Sequence, residues 1–124
     1  MCAIAGILNL TVENCVIDAM LDTMKRRGPD AADFWQEQDC TLLHARLAVI
    51  DIEGGRQPMT WQKGSQAYTI VYNGELYNTE EIRQELLRLG HRFAGHSDTE
   101  VLLHAYGQWG EDCLARCNGS FAFG

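Results

Sequence analysis

A cysteine at position 2, directly behind the initiator methionine, puts a nucleophile where the chain itself can supply the base. Once Met1 is removed, which a small second residue permits, thiol and free α-amine share one residue. An α-amine has an unperturbed pKa of about 7.7–8.0. Near neutral pH much of it can take the thiol's proton, directly or through a water, without any histidine. With Met1 kept, Cys2 is one small residue of an N-terminal strand, and position alone favours that plainer reading. Four other features could complete a site. Arg46 is a charge inside an otherwise apolar stretch, and its planar fork suits bidentate binding of a carboxylate. Asn73-Gly74 offers a side-chain amide and a glycine N–H, which together can hold the negative oxygen of a tetrahedral intermediate. Asp98 could receive an ammonium. The run Arg26-Arg27-Gly28-Pro29-Asp30 could shape a pocket wall. Each of these alone has a simpler explanation: a surface arginine, a hairpin turn, an acid favoured by a helix dipole, a solvated helix end. Together they give a nucleophile with its own base, an oxyanion hole, and clamps for the two ends of an α-amino acid. A side-chain amide held by those ends points to glutamine or asparagine.

The elements that must position these residues can be read from periodicity. Residues 2–9 are apolar and compact and predict a strand. Residues 12–24 predict a helix, with Val16, Ala19, Met20, Leu21 and Met24 near helical spacing. Gly28-Pro29-Asp30 makes a turn. Strands are expected over 32–36 and 41–50, the second placing His44 and Arg46 on one face. A loop covers 53–58, another lies near Lys63-Gly64-Ser65, and a strand over 66–72 stops at the Asn73-Gly74 turn signal. Asn78-Thr79-Glu80-Glu81 has the form of a helix start, with Ile82, Leu86 and Leu89 inward and Gly90 closing. Ser97-Asp98-Thr99-Glu100 is a stronger capping box, opening a helix to about Trp109 that buries Val101, Leu102, Ala105 and Trp109. A short helix over 112–116 and the apolar run Ser120-Phe121-Ala122-Phe123 follow. Ending inside that run implies a fragment of a longer chain, with apolar surface near Phe121 and Phe123 left for a neighbouring copy to cover.

Composition narrows the partners. The chain has 124 residues, room for one domain or part of one, and a net charge of −7 without a basic run, which argues against nucleic acid. No apolar stretch reaches the roughly 20 residues of a membrane span, and no signal peptide is evident, so a cytoplasmic protein is expected. The five cysteines form no disulfide framework and suit a reducing compartment. Cys113, Cys117 and His104 could approach a metal, but there is no CxxC pair and no evident fourth ligand.

Several longer motifs carry a resemblance. Met-Cys-Ala-Ile-Ala-Gly at 1–6, Arg-Arg-Gly-Pro-Asp-Ala at 26–31 and His-Ala-Arg-Leu-Ala-Val-Ile-Asp at 44–51 resemble class II glutamine amidotransferases. Gly-Arg-Gln-Pro-Met at 55–59, Tyr-Asn-Gly-Glu-Leu-Tyr-Asn at 72–78 and Ser-Asp-Thr-Glu-Val-Leu-Leu at 97–103 narrow it to the glutaminase domain of glutamine-hydrolysing asparagine synthetases. The resemblance spans the chain in order. It implies an α+β, N-terminal-nucleophile fold: two antiparallel sheets sandwiched between helical layers, here truncated at the C-terminus, with residues 1–124 a partial glutaminase domain. It implies hydrolysis of glutamine to glutamate and ammonia through a thioester on Cys2. Carried over by motif, Asn73 and Gly74 line the oxyanion hole, Arg46 holds the glutamine carboxylate and Asp98 its ammonium. Leu47, Ala48, Val49 and Ile50, by backbone, and Glu75 border the substrate. The ammonia acceptor would be a synthetase domain, absent here, and ATP and magnesium belong to that domain, so no cofactor is expected on this one. A non-catalytic relic of the fold, used for binding or assembly, is the alternative. One departure stands out: the family usually has glycine after the nucleophile, whereas this chain has Ala3, whose methyl would strain a backbone with positive φ.

Overall fold

The computed structural model describes residues 1–48 and 54–124. In chain order they form β1 (Ala3–Leu8), α1 (Asn14–Met24), β2 (Ala31–Glu37), β3 (Cys40–Arg46), β4 (Met59–Lys63), β5 (Gln66–Ile70) and β6 (Tyr72–Leu76). Then come α2 (Thr79–Arg88), α3 (Asp98–Trp109), a 3-10 helix over Gly110–Arg116, and β7 (Gly119–Phe123). Among the described residues all strand pairing is antiparallel and falls into three pieces, ordered β1-β3-β2, β4-β5 and β6-β7. The class is therefore α+β, as expected. Val71 and Gly124 exchange backbone hydrogen bonds of 3.0 Å each, extending the β6–β7 pairing by one step.

β3 is the strand everything else covers. It pairs on both edges, and Thr41 to Arg46 are all buried. A strand flanked on both sides reads as a near-continuous apolar run, which is the pattern of its sequence. Helix α1 packs against this sheet with Ile17 fully buried and Met20, Leu21 and Met24 half-buried, the i, i+3, i+4, i+7 spacing of one helix face. Val16 and Ala19, expected on that face, are exposed. A second core gathers Ile70, Tyr72, Leu76, Ile82, Leu86 and the inward face of α3.

Several expectations need correction. The strand expected over 41–50 ends at Arg46, where the chain meets the 28–30 turn; Val49 and Ile50 lie outside the described residues. Residues 59–63 form a strand that sequence reading missed, hydrogen-bonded to β5 across the Gly64-Ser65 turn. Asn73-Gly74 is not a turn: both residues lie inside β6, opposite Ala122 and Phe121 of β7. In α2 Leu89 is 52% exposed, and Arg83 takes the third inward place. Its guanidinium stacks over Phe93 at 4.6 Å and donates to the Gly95 carbonyl at 3.1 Å. Asn78 does not cap α2 with its side chain. That amide instead donates to the Arg116 carbonyl and accepts from the Asn118 N–H, both at 2.8 Å, tying the helix start to the approach of β7. At α3 the Ser97 hydroxyl accepts from the Glu100 N–H at 3.3 Å as expected, while the Glu100 carboxylate accepts from Ala94 and Gly95 N–H at 2.7 and 2.9 Å. Phe121 and Phe123 are half-buried against the second core rather than bare; Phe121 lies 6.4 Å from the Tyr72 ring.

Candidate active site

Two groups of side chains converge, one at the open end of the β1–β3 pair and one along β6. The first depends on a close backbone approach. A Cβ on Gly28 would fall 2.1 Å from the Ala45 carbonyl carbon and 2.4 Å from the Arg46 nitrogen, so the turn after α1 can lie on β3 only with glycine there. That contact brings Asp30 to the end of β3. Its N–H donates to the Arg46 carbonyl at 2.9 Å, and its carboxylate accepts from the Ala48 N–H at 2.7 Å. The same segment receives Cys2. The Leu47 N–H donates to Sγ at 3.4 Å, and Sγ lies 3.6 Å from the Leu47 carbonyl oxygen. The sulfur therefore sits between a backbone donor and a backbone acceptor of one residue. The register sets Ala3 opposite Ala45, so Cys2 follows on beside Arg46, which is only 7% exposed. A cleft of about 390 Å³ opens beside this end, lined by Asp30, Asp33, His44, Arg46, Arg56 and Gln57. A larger groove of about 550 Å³ runs elsewhere, past Leu8, Trp35, Leu42 and Thr69, and touches none of these site residues.

The second group is built on β6. Gly74 has φ of +156° and packs so tightly on β7 that a Cβ would meet the Phe121 Cα at 2.4 Å; the position admits glycine alone. Asn73 is half-buried, and Gly74 and Glu75 are exposed. Asp98, the first residue of α3, braces this strand at both ends. Its Oδ2 accepts from the Tyr72 hydroxyl at 2.8 Å and from the Leu76 N–H at 3.3 Å. Gln57 adds a second brace: its Oε1 accepts from the Tyr72 N–H and its Nε2 donates to the Thr99 hydroxyl at 3.2 Å. His44, buried in β3, stands under the influence of the Tyr72 backbone carbonyl, and its Nε2 has no hydrogen-bond partner among the described residues.

The sequence-expected residues therefore fall into two bonded sets. Cys2, Arg46, Leu47 and Ala48 gather with Asp30, and Asn73, Gly74 and Glu75 sit on the strand that Asp98 braces. Among the described residues no hydrogen bond joins Cys2 to Asn73 or to Asp98. Ala3 carries no strain: it lies in extended β1, and among the described residues the positive-φ residues other than glycine are Asn9 and Gln38. Sequence reasoning missed the positions of Tyr72 and Gln57, although both stand inside motifs it singled out. Their signal was the polar atom each carries beside a residue already assigned to the site. Among the described residues no group of three or more His, Cys, Asp or Glu is arranged to hold a metal, and no helix is long and apolar enough to cross a membrane.

Two buried histidines give the fold a pH dependence. His44 is pushed down to about 4, chiefly by burial and further by the Arg46 charge, against the opposing pull of the Tyr72 carbonyl. His104, stacked on Trp61 at 4.0 Å, is also lowered to about 4, first by burial and then by His91. Both rings are neutral in the fold and bind protons more readily once unfolded. Stability is then complete above the unfolded value of about 6.5 and is lost as pH falls towards 4. The unfolding free energy from urea titrations should fall between pH 7 and 5, by on the order of 1–2 kcal/mol for each ring. His104→Gln should flatten that slope, and an unchanged slope would mean the ring titrates normally.

The model of the glutamine amidotransferase domain family matches residues 1–124. The chain is 52% identical over 127 residues to asparagine synthetase [glutamine-hydrolyzing] 3 of Bacillus subtilis, covering 99% of this chain and 21% of that one. It is 38% identical over 128 residues to a probable asparagine synthetase [glutamine-hydrolyzing] of Dictyostelium discoideum, covering 99% and 23%. The chain thus spans about a fifth of the length of these curated relatives. In structure it superimposes on the glutamine phosphoribosylpyrophosphate amidotransferase of B. subtilis with a TM-score of 0.80 at 21% identity, over 97% of this chain and 34% of that one. That likeness concerns the fold.

Proposed function

Because this chain belongs to the glutamine amidotransferase domain family and has the N-terminal-nucleophile fold, we propose that it hydrolyses the side-chain amide of glutamine to glutamate and ammonia. The observation that carries the reading is the Leu47 N–H on the Cys2 sulfur, at the end of the strand that holds Arg46. In the proposed reaction the freed α-amine of Cys2 takes the thiol proton and the sulfur attacks the amide carbon. Asn73 and the Gly74 N–H stabilise the resulting oxyanion. The C–N bond breaks, the amine's proton leaves with ammonia, and a thioester remains. A water, deprotonated by the same amine, then attacks the thioester, releasing glutamate and restoring the thiol. Arg46 holds the α-carboxylate and Asp98 the α-ammonium, while Leu47, Ala48, Val49, Ile50 and Glu75 border the chain of the substrate.

Residues 1–124 are read as part of a glutaminase domain. Its ammonia goes to a synthetase domain of the kind its relatives are named for, and ATP and magnesium are assigned to that partner. A cytoplasmic setting, where the five free cysteines stay reduced, and a homo-oligomer covering remaining apolar edges complete the proposal. The test is a glutamine analogue with a diazoketone in place of the amide. Intact-mass and peptide analysis should find one adduct, on Cys2, and added glutamine should slow its formation. Adducts spread over the other cysteines, or labelling indifferent to glutamine, would sink the reading.

A further inference from the structure

We infer that Tyr72 is a positioning and selectivity residue: its hydroxyl fixes one oxygen of Asp98 so that the other is presented to a substrate ammonium. The inference rests on the glutaminase reading above and deepens it. Asp98 is half-buried and opens α3. Its Oδ2 is fully occupied, by the Tyr72 hydroxyl at 2.8 Å and the Leu76 N–H at 3.3 Å, while Oδ1 carries no hydrogen bond among the described residues. A carboxylate pinned through one oxygen has lost rotational freedom about its terminal bond, so its second oxygen points one way before any ligand arrives. Tyr72 can do this because it is itself over-determined. It is 3% exposed, its N–H is held by Gln57, and Phe121 packs beside the ring. Burial and the Asp98 carboxylate both push the phenol's pKa up, which keeps it a donor across the working pH range.

The arrangement also couples two tasks. Tyr72 directly precedes Asn73, so the residue that orients Asp98 shares a peptide unit with the proposed oxyanion donor. Recognition of the amino-acid end and stabilisation of the reacting amide then depend on one strand segment. A ligand that engages Asp98 has its amide registered against Asn73 and Gly74.

The test compares glutamine with 4-carbamoylbutanoate, which has the same carboxylate and amide but no amine. Wild-type protein should prefer glutamine strongly in kcat/KM. Tyr72→Phe removes a single oxygen atom and should reduce that preference about tenfold, the size expected for losing a hydrogen bond to a charged group. The change should sit in KM for glutamine, leaving turnover of the amine-free substrate as it was. Phe121→Leu, which loosens the ring without touching the hydroxyl, should lower both substrates alike and leave the ratio intact. In an Asp98→Asn background Tyr72→Phe should change the ratio no further. Should the Phe variant not fold, Tyr72→Met also lacks the hydroxyl and takes its place. An unaltered ratio in a folded, hydroxyl-free variant overturns the inference while the glutaminase reading stands. A wild-type protein indifferent to the amine removes the role given to Asp98, and the inference falls with it.

Discussion

Protein that keeps Met1 is expected to release ammonia from glutamine about 10²–10⁴ times more slowly than protein that begins at Cys2, the usual contribution of a positioned general base. The argument turns on what else could take the thiol proton. The contacts of Sγ among the described residues are the Leu47 N–H and carbonyl, neither of which can carry a proton away. His44, opposite Ile4 in β3, makes no hydrogen bond to Sγ among the described residues, and burial lowers its pKa to about 4, so its ring is hard to charge. With Met1 attached, the nitrogen of Cys2 is a peptide amide and has no basicity to offer. Removal is sterically open, since Met1 is 70% exposed. Intact-mass analysis gives the fraction of each form, and treatment with a methionine aminopeptidase should restore turnover in step with processing. Equal rates from the two forms would refute an amine base.

This prediction draws on the part of the site that was most legible in the sequence. Cys2 was singled out by its place behind Met1, Arg46 as a charge in an apolar strand, and Asp98 as the acid of a capping box, all three visible without coordinates. The helix over Asp98–Trp109 was found because Ser97 and Glu100 bound it and its apolar spacing is regular. The strand over Met59–Lys63 was missed because its alternation, Met59 and Trp61 against Thr60 and Gln62, is only five residues long. Asn73-Gly74 misled for a physical reason. The dipeptide that permits a tight hairpin also permits a strand pressed against its neighbour, and local sequence does not say which constraint asked for glycine. The burial of Arg83 beside Phe93, and the diversion of Asn78 to Arg116 and Asn118, depend on partners distant in the chain. The braces on Asp98 were illegible for the same cause: Gln57, Tyr72 and Thr99 meet only once the fold has formed.

Gly28→Ala is expected to lower stability by about 3 kcal/mol, the upper part of the range for forcing extra volume into a packed site. It should also blunt modification of Cys2. The added methyl would have to occupy space held by the Ala45 carbonyl and the Arg46 nitrogen, at 2.1 to 2.4 Å. These are backbone atoms of the central strand, bonded on both edges, so neither can yield without breaking pairing with β1 or β2. The turn must move instead, and Asp30 moves with it. Its bonds to the Arg46 carbonyl and the Ala48 N–H are then stretched, and Leu47, which lies between those two residues, loses the position from which it touches Cys2. Gly64→Ala is the comparison. That residue has φ of +62° with nothing nearby for a methyl to strike, so only the conformational penalty of about 1 kcal/mol applies, and Cys2 is untouched. Urea denaturation measures the first effect, and the rate of diazoketone adduct formation in the folded protein measures the second. A Gly28→Ala chain as stable as Gly64→Ala, with Cys2 modified at the wild-type rate, would show that the turn after α1 is not what holds the nucleophile's neighbour in place.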